Sequence, residues 1–399
     1  MNSKRKASPM LIVTKAACFI LAPCLMLAMA ASVRFALADD AFAQPDLASA
    51  ERASRLEPES SRYWYRVAAL RAAENPRDRV IAEALDRAIA ANPRDTNARM
   101  ERAQFESEGE LLEAVRTDHL YTPAWVLANF YFQRQKLDSF WKYAWKCVDI
   151  ADPGSYDLTA LFDLAWQASG ESSDEIRRRL IPPRHFVQAD YLKYLTENRR
   201  LDAAIPVARD LLACDDPADR SALTALVQRM IEAGRVDDAL AIWNALPQSE
   251  HLDPARGQSL TNGSLKRGFA PLGFDWRLTQ VNGVASSHYP EDGEVRIEFS
   301  GDQREECILL FQPVPVVAGA RYRLTFRYRT SGMKSCYGLA WQLTSTLEPH
   351  EDWTGGAATF TVAPNTRLAT LELSYHRKPG TTRISGVVAF REFGLERLP

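Results

Sequence analysis

The sequence predicts a multidomain α-then-β protein: a region of helical repeats followed by an antiparallel β-sandwich, both preceded by an apolar amino-terminal segment. Three observations predict this arrangement. A charge-free apolar run follows a basic cluster at the amino terminus, prolines recur about every thirty residues through the middle, and strands of alternating polarity fill the carboxyl-terminal third. With 399 residues, of which 46% are hydrophobic and 25% charged, the chain is long enough for two or three folded domains.

Residues 1–38 are typical of an export signal or a membrane anchor. A basic cluster at positions 4–6 precedes the stretch Ala16–Val33, which carries no charge. This stretch is at the lower limit of what spans a bilayer and contains Pro23, so its length does not decide between the two. Ala36–Ala38 offers a small-x-small cleavage site. We expect the protein to be anchored at the periplasmic face of the inner membrane, or to be periplasmic or secreted after cleavage.

The middle of the chain, residues 39–248, is rich in helix-forming residues and is divided by regularly spaced prolines. Seven of the prolines in this region are 35, 30, 30, 30, 34 and 30 residues apart: Pro58, Pro93, Pro123, Pro153, Pro183, Pro217 and Pro247. Proline ends one helix and fits the first turn of the next, so this spacing predicts stacked helix hairpins. Apolar residues at helical spacing in 84–89 and 239–246 give each helix a face to bury.

Two stretches of this region, residues 82–88 and 233–240, resemble the tetratricopeptide-repeat (TPR) family. The family's Trp-x-x-Leu-Gly-x-x-Tyr run is missing, so the repeats are degenerate and cover about half of the chain. The resemblance implies an α-solenoid whose concave surface binds peptides or proteins, and we therefore expect protein partners. The aromatic residues between positions 125 and 145 occur at helical spacing and are expected to be core.

After residue 247 the helix formers thin out, which predicts a linker at 249–258 and a β module at 259–399. The clearest strand is Arg321–Arg329, where aromatic and aliphatic side chains alternate with arginines. Three further stretches alternate in the same way: Val295–Phe299, Leu339–Leu343 and Leu371–Tyr375. Several short strands between Gly, Pro and Asn turns predict a two-sheet antiparallel sandwich.

Three segments of the β module, Leu260–Leu265, Gln312–Tyr322 and Gly386–Leu395, resemble carbohydrate-binding modules of the galactose-binding-like jelly-roll group. The resemblance implies a jelly roll that binds sugar on a sheet face or at its loop tips. Many relatives hold a structural calcium ion with carboxylates at two places where this chain has Lys266 and Arg391. Because these cations would repel calcium, we expect no metal.

The segments Gly273–Leu278 and Gly338–Trp341 resemble bacterial envelope proteins that join repeats to such a module and are associated with exopolysaccharide or O-antigen assembly. We therefore expect a non-enzymatic envelope adaptor that binds protein partners through its repeats and glycan through its sandwich. One alternative is a purely structural scaffold whose sandwich binds no sugar. A second is an unrecognised glycan-processing enzyme.

The candidate ligand residues all lie in the β module: Trp276, Arg277, Arg321, Arg323, Arg327, Arg329, Trp353, Glu372 and His376. The arginines of 321–329 share one strand face, and we expect Glu372 and His376 on the equivalent face of another strand. Guanidinium groups bind carboxylates in paired fashion, so this stripe predicts an acidic glycan, with a merely solvated face as the alternative. The two tryptophans lie in loop-like sequence and are expected to stack on sugar rings, whereas Trp341 alternates as a core residue.

Several function classes are excluded or left without support. The formal net charge of −2 includes no strongly basic region, so a nucleic-acid partner is not expected. There is no Gly-x-Ser-x-Gly elbow, no phosphate-binding Gly-rich loop and no His-Glu-x-x-His, so neither catalysis nor a cofactor is predicted. No CxxC pair suggests zinc or redox chemistry. In an exported chain, Cys307 and Cys336 either form a disulfide or remain two buried thiols.

Overall fold

The computed structural model describes residues 9–76, 78–103, 108–212, 217–247, 250–270, 272–342 and 345–399, with only the backbone described at 9–24, 217–218 and 345–346. The basic cluster at positions 4–6 and Cys214 lie outside the described residues.

The chain divides into two compact units, Met1–Ser172 and Ser173–Pro399. Within the described residues it forms fourteen helices: Pro9–Ala43 (α1), Leu47–Leu56 (α2), Ser61–Glu74 (α3), Arg79–Ala91 (α4), Thr96–Ala103 (α5), Glu108–Thr117 (α6), Tyr121–Gln133 (α7), Leu137–Ile150 (α8), Thr159–Ala168 (α9), Ser173–Arg179 (α10), His185–Glu197 (α11), Leu201–Leu212 (α12), Pro217–Glu232 (α13) and Val236–Ala245 (α14).

The helices bury the faces that their sequence periodicity predicts. In α4, for example, Ala84, Leu85 and Ala88 are all buried. Within the aromatic cluster of residues 125–145, Tyr131, Phe140 and Trp141 are buried as expected, whereas four further members are half-buried and Trp145 on α8 is 47% exposed. Of the helices in the described part of the chain, none is both long and apolar enough to cross a membrane.

Contacts separated by one repeat length recur in both units. In the first unit the Ser61 hydroxyl donates a hydrogen bond to Asp95, 34 residues further on. In the second unit the Nδ1 atom of His185 lies 3.1 Å from the Oδ2 atom of Asp219, also 34 residues further on. Each pair joins the start of one helix to the start of the helix two places later. Both contacts fit the helical-repeat arrangement that the sequence predicts.

The hairpins α11–α12 and α13–α14 close through the same tight turn. One residue has a left-handed backbone in each turn, Arg199 (φ 57°) and Gly234 (φ 74°) respectively. In both turns the amide of the next residue bonds back to a carbonyl of the preceding helix, Arg200 to Leu195 at 2.8 Å and Arg235 to Met230 at 2.8 Å. Glycine suits this conformation because it lacks a Cβ atom, so the arginine at the first turn is the less favourable of the two.

The β module is a sandwich of two antiparallel sheets, which confirms the predicted fold class. The strands run in the order β1-β4-β9-β6-β7 in the first sheet and β2-β3-β10-β5-β8 in the second. Their bounds are Arg277–Leu278 (β1), Val284–Tyr289 (β2), Glu294–Phe299 (β3), Glu306–Pro315 (β4), Arg321–Ser331 (β5), Leu339–Trp341 (β6), Ser345–Thr346 (β7), Thr354–Thr361 (β8), Leu368–His376 (β9) and Gly386–Leu398 (β10).

The sandwich core lies between the inner faces of the two sheets. On β5, Tyr322, Leu324 and Phe326 are buried while the arginines alternate outward, as predicted. Trp341 is fully buried, which confirms its expected core position. Leu343 lies outside the described residues. Cys307 and Cys336 are both free thiols, as in the second of the two alternatives, but only Cys336 is buried and Cys307 is half-buried.

Within the second compact unit, the last helical hairpin packs directly against the β module. Gly273 has a φ of +75°, and a Cβ atom there would collide with the ring of Trp243 on α14. The Asn244 side chain bonds both the N–H (2.8 Å) and the carbonyl (2.9 Å) of Leu252, which is 2% exposed. The described part of the predicted linker is thus fastened to the end of the helical region.

Candidate functional site

An open cleft of about 620 Å³ lies on the outer face of the second sheet, and we call it the sheet-face cleft. It crosses β2, β3, β10 and β5, and its floor is made of small side chains. Its lining residues are Ala285, Ser287, Tyr289, Glu294, Arg296, Glu298, Arg329, Thr330, Ser331, Glu351, Val387 and Ala389.

Strand register places two arginines on either side of the cleft floor. Ala389 pairs with Arg296 on one side and with Arg329 on the other, and Arg296 in turn pairs with Ser287. Adjacent strands lie about 4.8 Å apart, so the two arginine backbones are about 10 Å apart with only a methyl group between them. The row therefore leaves room above Ala389 for a small group to contact both guanidinium groups.

A buried carboxylate holds both of these arginines in place. Glu294 is 4% exposed and accepts hydrogen bonds from Arg296 Nε and from Arg329 Nη2, the latter at 3.3 and 3.4 Å. The hydrogen bond to Glu294 raises the pKa of the Arg296 guanidinium. No group of three or more His, Cys, Asp or Glu that could hold a metal ion occurs among the described residues.

Aromatic side chains lie at two edges of this face. Tyr289 on β2 is 39% exposed, and the guanidinium of Arg296 lies 4.5 Å from its ring centroid. Trp353 precedes β8, and its ring carries the guanidinium groups of Arg329 at 4.8 Å and Arg391 at 4.0 Å. Two guanidinium groups lie against the ring of Trp353 and one lies against that of Tyr289, so Tyr289 offers more uncovered ring surface for a sugar.

The predicted arginine stripe is on this face, but its members have different roles. Arg329 lines the cleft. Arg327 donates a hydrogen bond from Nη2 to the Trp353 carbonyl at 3.0 Å and supports that loop. Arg321 and Arg323 are exposed at the far end of β5, outside the cleft lining. The stripe therefore contributes one direct cleft residue and one residue that positions a loop.

Trp276 and Arg277 were predicted to contact a ligand, but both are part of the internal packing of the molecule. The prediction that they are exposed is therefore wrong. Trp276 is fully buried, with its ring 4.7 Å from that of Phe393 in the sandwich core. Arg277 is half-buried, donates to the Gln228 side chain at 2.5 Å and to the Gly273 carbonyl at 2.6 Å, and lies over a Phe ring of β4. Burial lowers the pKa of the Arg277 guanidinium. Their segment forms the junction with α13, which sequence spacing does not reveal.

Glu372 and His376 do not join the arginines, contrary to the expected grouping. Both are on β9, which belongs to the first sheet, whereas the arginines are on β5 in the second. The outer faces of two packed sheets point in opposite directions, so these residues are separated by the core. Burial raises the pKa of the Glu372 carboxyl.

Sequence reasoning missed Tyr289, Glu294, Arg296 and Glu298. A usable signal was present for the last three, since they alternate with the predicted core residues of Val295–Phe299 and must face outward. What the sequence does not show is that β10 separates β3 from β5 and so brings Arg296 and Arg329 into one row.

A second concave surface lies on the helices of the second unit, and we call it the helical groove. It has a volume of about 600 Å³ and is lined by side chains of α11 and α13, the first helices of successive hairpins, together with Leu272. Its lining combines apolar residues such as Phe186 and Ala225 with charged residues such as Lys193 and Glu232.

The fold and the cleft together define a β-sandwich with a ligand-sized concavity on one sheet face, attached to a repeat protein. No protein-family model matches the chain, and no curated protein matches it in sequence. Among solved structures, the chain matches one titled "CBM4 structure and function", with 13% sequence identity and a TM-score of 0.27, over 35% of this chain and 100% of that one. At that TM-score, the likeness supports no conclusion about this protein.

Proposed function

We propose that this is a non-enzymatic binding protein whose sandwich holds a glycan chain in the sheet-face cleft. The observation that carries the proposal is the cleft itself, an open concavity of about 620 Å³ with a floor of small side chains between fixed charged groups. Small-ligand sites in proteins have volumes of roughly 300–1,000 Å³ and combine apolar surface with a few well-placed polar groups. Because this cleft is open, a polymer can enter it and continue beyond it.

The polar groups of the cleft suit sugar hydroxyls. Glu294 uses only part of the donor capacity of Arg296 and Arg329, because each guanidinium has five N–H donors. Glu298 is exposed at the same face and offers acceptor oxygens. Groups that are already held in place lose little further freedom when a ligand binds, which favours affinity.

The charge of the lining favours a neutral glycan over the acidic glycan expected from the arginine stripe. Two arginines and three glutamates line the cleft, so its lining has a formal charge of −1 when all five are ionised. Glu294 already balances part of the charge of Arg296 and Arg329. A polysaccharide with closely spaced carboxylates would be repelled by the two remaining glutamates.

A glycan array probed with the full chain tests this proposal, with neutral and acidic polysaccharides side by side. Ser287→Trp fills the floor of the cleft from an outward-facing position, so binding should fall at least tenfold by a steric effect. Thr370→Trp is the matched control, because Thr370 is exposed on β9 in the other sheet. Equal binding by both variants, or no binding of any glycan by the parent chain, would reject the cleft as a glycan site.

The arginines provide a second comparison. Arg329→Ala removes a cleft donor and one partner of the buried Glu294, and should weaken binding by roughly 10- to 150-fold, as loss of a charged hydrogen bond of about 1.5–3 kcal/mol implies. Arg323→Ala changes an exposed arginine outside the cleft and should leave affinity unchanged. A stronger effect of Arg323→Ala than of Arg329→Ala would place the ligand along the far end of β5 instead.

We further propose that the protein is an envelope adaptor, with protein partners on the helical groove and with exopolysaccharide or O-antigen as the bound glycan. The targeting pattern of residues 1–38 supports an envelope location, and the groove offers a partner surface separate from the cleft. Affinity purification of the full chain from its native cells, followed by mass spectrometry, tests for partners. Ala225→Arg in the groove should remove a specific partner without changing glycan binding.

A purely structural scaffold is the second candidate, because the sandwich is built onto the last hairpin. Gln228 on α13 binds both the Gly273 amide, at 3.2 Å, and the Arg277 side chain. A sandwich whose purpose is this contact needs no ligand. The scaffold would be favoured if cells that carry Ser287→Trp show the phenotype of the parent while cells that carry Trp243→Ala show the phenotype of cells that lack the protein.

The non-enzymatic part of the proposal has its own test. In the cleft, Glu294 is the most buried carboxylate and is bound by two arginines, an arrangement that suits a structural anion. Incubation of the full chain with any polysaccharide that it binds should leave the polymer length unchanged on size-exclusion chromatography. Depolymerisation that is lost in Glu298→Gln or Glu351→Gln would establish an enzyme instead.

A further inference from the structure

The amino-terminal helix α1 has one end built into the helical fold and, before it, a stretch of exposed apolar side chains. We infer that α1 is retained in the mature protein and that this stretch docks on a lipid bilayer with anionic headgroups. The inference concerns the first compact unit and is independent of glycan binding by the sandwich.

The last turns of α1 contribute to the core of the first unit. Ala38 is fully buried and Ala41 is 7% exposed, in a cluster with Ala53 of α2 and Tyr63 of α3. The Tyr63 hydroxyl donates a hydrogen bond to Asp39 at 2.6 Å. Desolvation raises the pKa of Tyr63 to about 12, so this hydroxyl keeps its proton at physiological pH. These contacts hold the final turns of α1 against the following two helices.

A contact one turn earlier shows that the residues before the predicted cleavage site are also part of the fold. Arg34 Nε donates to a carboxylate oxygen of Glu57 at 2.6 Å, and the Glu57 side chain is only 8% exposed. The small-x-small site Ala36–Ala38 therefore lies between two anchored positions inside a continuous helix. Removal of residues 1–38 would take away Arg34 and Ala38 and leave a nearly buried carboxylate without this partner.

Between residues 25 and 37, α1 exposes large apolar side chains at 47–71% of their full area: Leu25, Met26, Leu27, Met29, Val33, Phe35 and Leu37. At 100° per residue these side chains point to every side of the helix and not to one stripe. A helix that docks in a protein groove needs a single apolar stripe, whereas one that is apolar all round is suited to lipid.

Charge in the sequence supports lipid as the occupant. The stretch Ala16–Val33 has no charged residue, and it follows basic residues at positions 4–6 and at Lys15. Basic residues beside an apolar segment are attracted to anionic lipid headgroups, with roughly 1 kcal/mol per residue near the surface. Apolar exposure and flanking positive charge therefore point to the same partner.

Retention is tested on the full chain, expressed in a bacterial host with a carboxyl-terminal tag. Intact mass and amino-terminal sequencing of the recovered protein should show that residues 1–38 are present. A mature protein that begins at Asp39 would overturn the inference.

Lipid docking is tested by flotation of the purified full chain with vesicles of phosphatidylcholine and phosphatidylglycerol. Leu27→Glu with Met29→Glu changes two exposed side chains and should reduce the floated fraction at least tenfold, because each buried leucine-sized side chain contributes strongly to lipid transfer. Leu120→Glu, a 58% exposed position in the same unit but outside α1, is the matched control and should float as the parent does.

Circular dichroism melting of each variant confirms folding, and Leu25→Glu with Phe35→Glu is a second pair should the first unfold. A folded variant pair that floats as well as the parent, or a retained parent chain that does not float, would overturn lipid docking. An equal fall in the floated fraction with Leu120→Glu would also overturn lipid docking by α1, because the effect would then not depend on that helix.

Discussion

Burial controls the chemistry of the cysteines that the structure describes. Desolvation raises the pKa of Cys147 to about 12 and that of Cys336 to about 11. The reactive species is the thiolate, and at pH 8 only about one thousandth of a thiol with a pKa of 11 is ionised. Cys307 is half-buried, and burial also raises the pKa of its thiol.

We therefore predict slow alkylation of the folded protein at pH 8. Iodoacetamide should modify Cys147 and Cys336 at least a hundredfold more slowly in buffer than in urea. In buffer, Cys307 should react faster than these two buried thiols but more slowly than a thiol of the unfolded chain. Peptide mass spectrometry over a time course measures all three. A Cys307–Cys336 disulfide peptide in the non-reduced map would show that the oxidised alternative is the correct one.

Asp275 gives a pH-dependent prediction. Its carboxyl is 7% exposed and accepts hydrogen bonds from the amides of Ala270 and Trp276, yet desolvation dominates and raises its pKa. Because the folded-state pKa is above the unfolded value, this group's contribution to stability is complete below the unfolded pKa and is lost as pH rises through the folded pKa.

The Asp275→Asn variant cannot lose a proton at this position. The difference in melting temperature between the parent and Asp275→Asn should therefore shift in favour of the variant between pH 4 and pH 7. Differential scanning calorimetry across this range measures it. A shift in the opposite direction would mean that the two amide hydrogen bonds outweigh desolvation.

At the scale of single elements, the two hairpin turns form a natural comparison. Arg199 is exposed and has a left-handed backbone, which costs a residue with a Cβ atom roughly 1–2 kcal/mol. Arg199→Gly should therefore increase the free energy of unfolding by about 0.5–1 kcal/mol after the entropy of glycine is counted. Gly234→Ala, at the equivalent turn, should decrease it by about 1 kcal/mol or more. Urea unfolding measures both, and a loss of stability in Arg199→Gly would contradict the argument.

The elements themselves were largely predictable because each follows from local periodicity. The alternation of Arg321–Arg329 identifies both a strand and its buried face, since successive side chains in a strand point to opposite sides. Strand order is not local. The row Arg329–Ala389–Arg296 exists because β10 pairs with β5 on one side and β3 on the other, and its partners are about 60 and about 90 residues distant in sequence.

The dependence on contacts distant in sequence also explains why the positions of Trp276 and Trp353 could not be told apart from the sequence. Trp276 and Trp353 each follow an aspartate and lie within three residues of a glycine, which is typical of exposed turns. Nothing local distinguishes Trp276, which fills the core, from Trp353, which lies against two guanidinium groups at the sheet surface. Only the tertiary position of each loop separates an inward ring from an outward one.

For the whole molecule, packing places a division at Ser172/Ser173, whereas the change from helix to strand falls between Ala245 and Arg277. The helices of residues 173–245 thus belong to the same compact unit as the sandwich. Limited proteolysis should yield a stable fragment that begins near residue 173 and extends to the carboxyl terminus. A stable fragment that begins between residues 250 and 260 would show that the sandwich folds without its hairpin.

Replacement of Trp243 tests the same packing between the last hairpin and the sandwich through its effect on stability. Its ring is 6% exposed and lies 5.7 Å from that of Phe274. In the fragment that begins near residue 173, which lacks the helices of the first unit, Trp243→Ala should lower the free energy of unfolding by about 3–5 kcal/mol, and the helical and strand signals should be lost in a single transition. Separate transitions for the two signals would contradict the packing.

The contact of Gly273 with Trp243 bears on the functions proposed for the two concave surfaces. The helical groove and the sheet-face cleft belong to one compact unit, so their spacing is set by that contact and not by a flexible tether. If, as proposed, the groove binds a protein partner and the cleft binds a sugar chain that this partner carries, binding of one part would raise the local concentration of the other at the cleft, and the avidity would exceed either affinity.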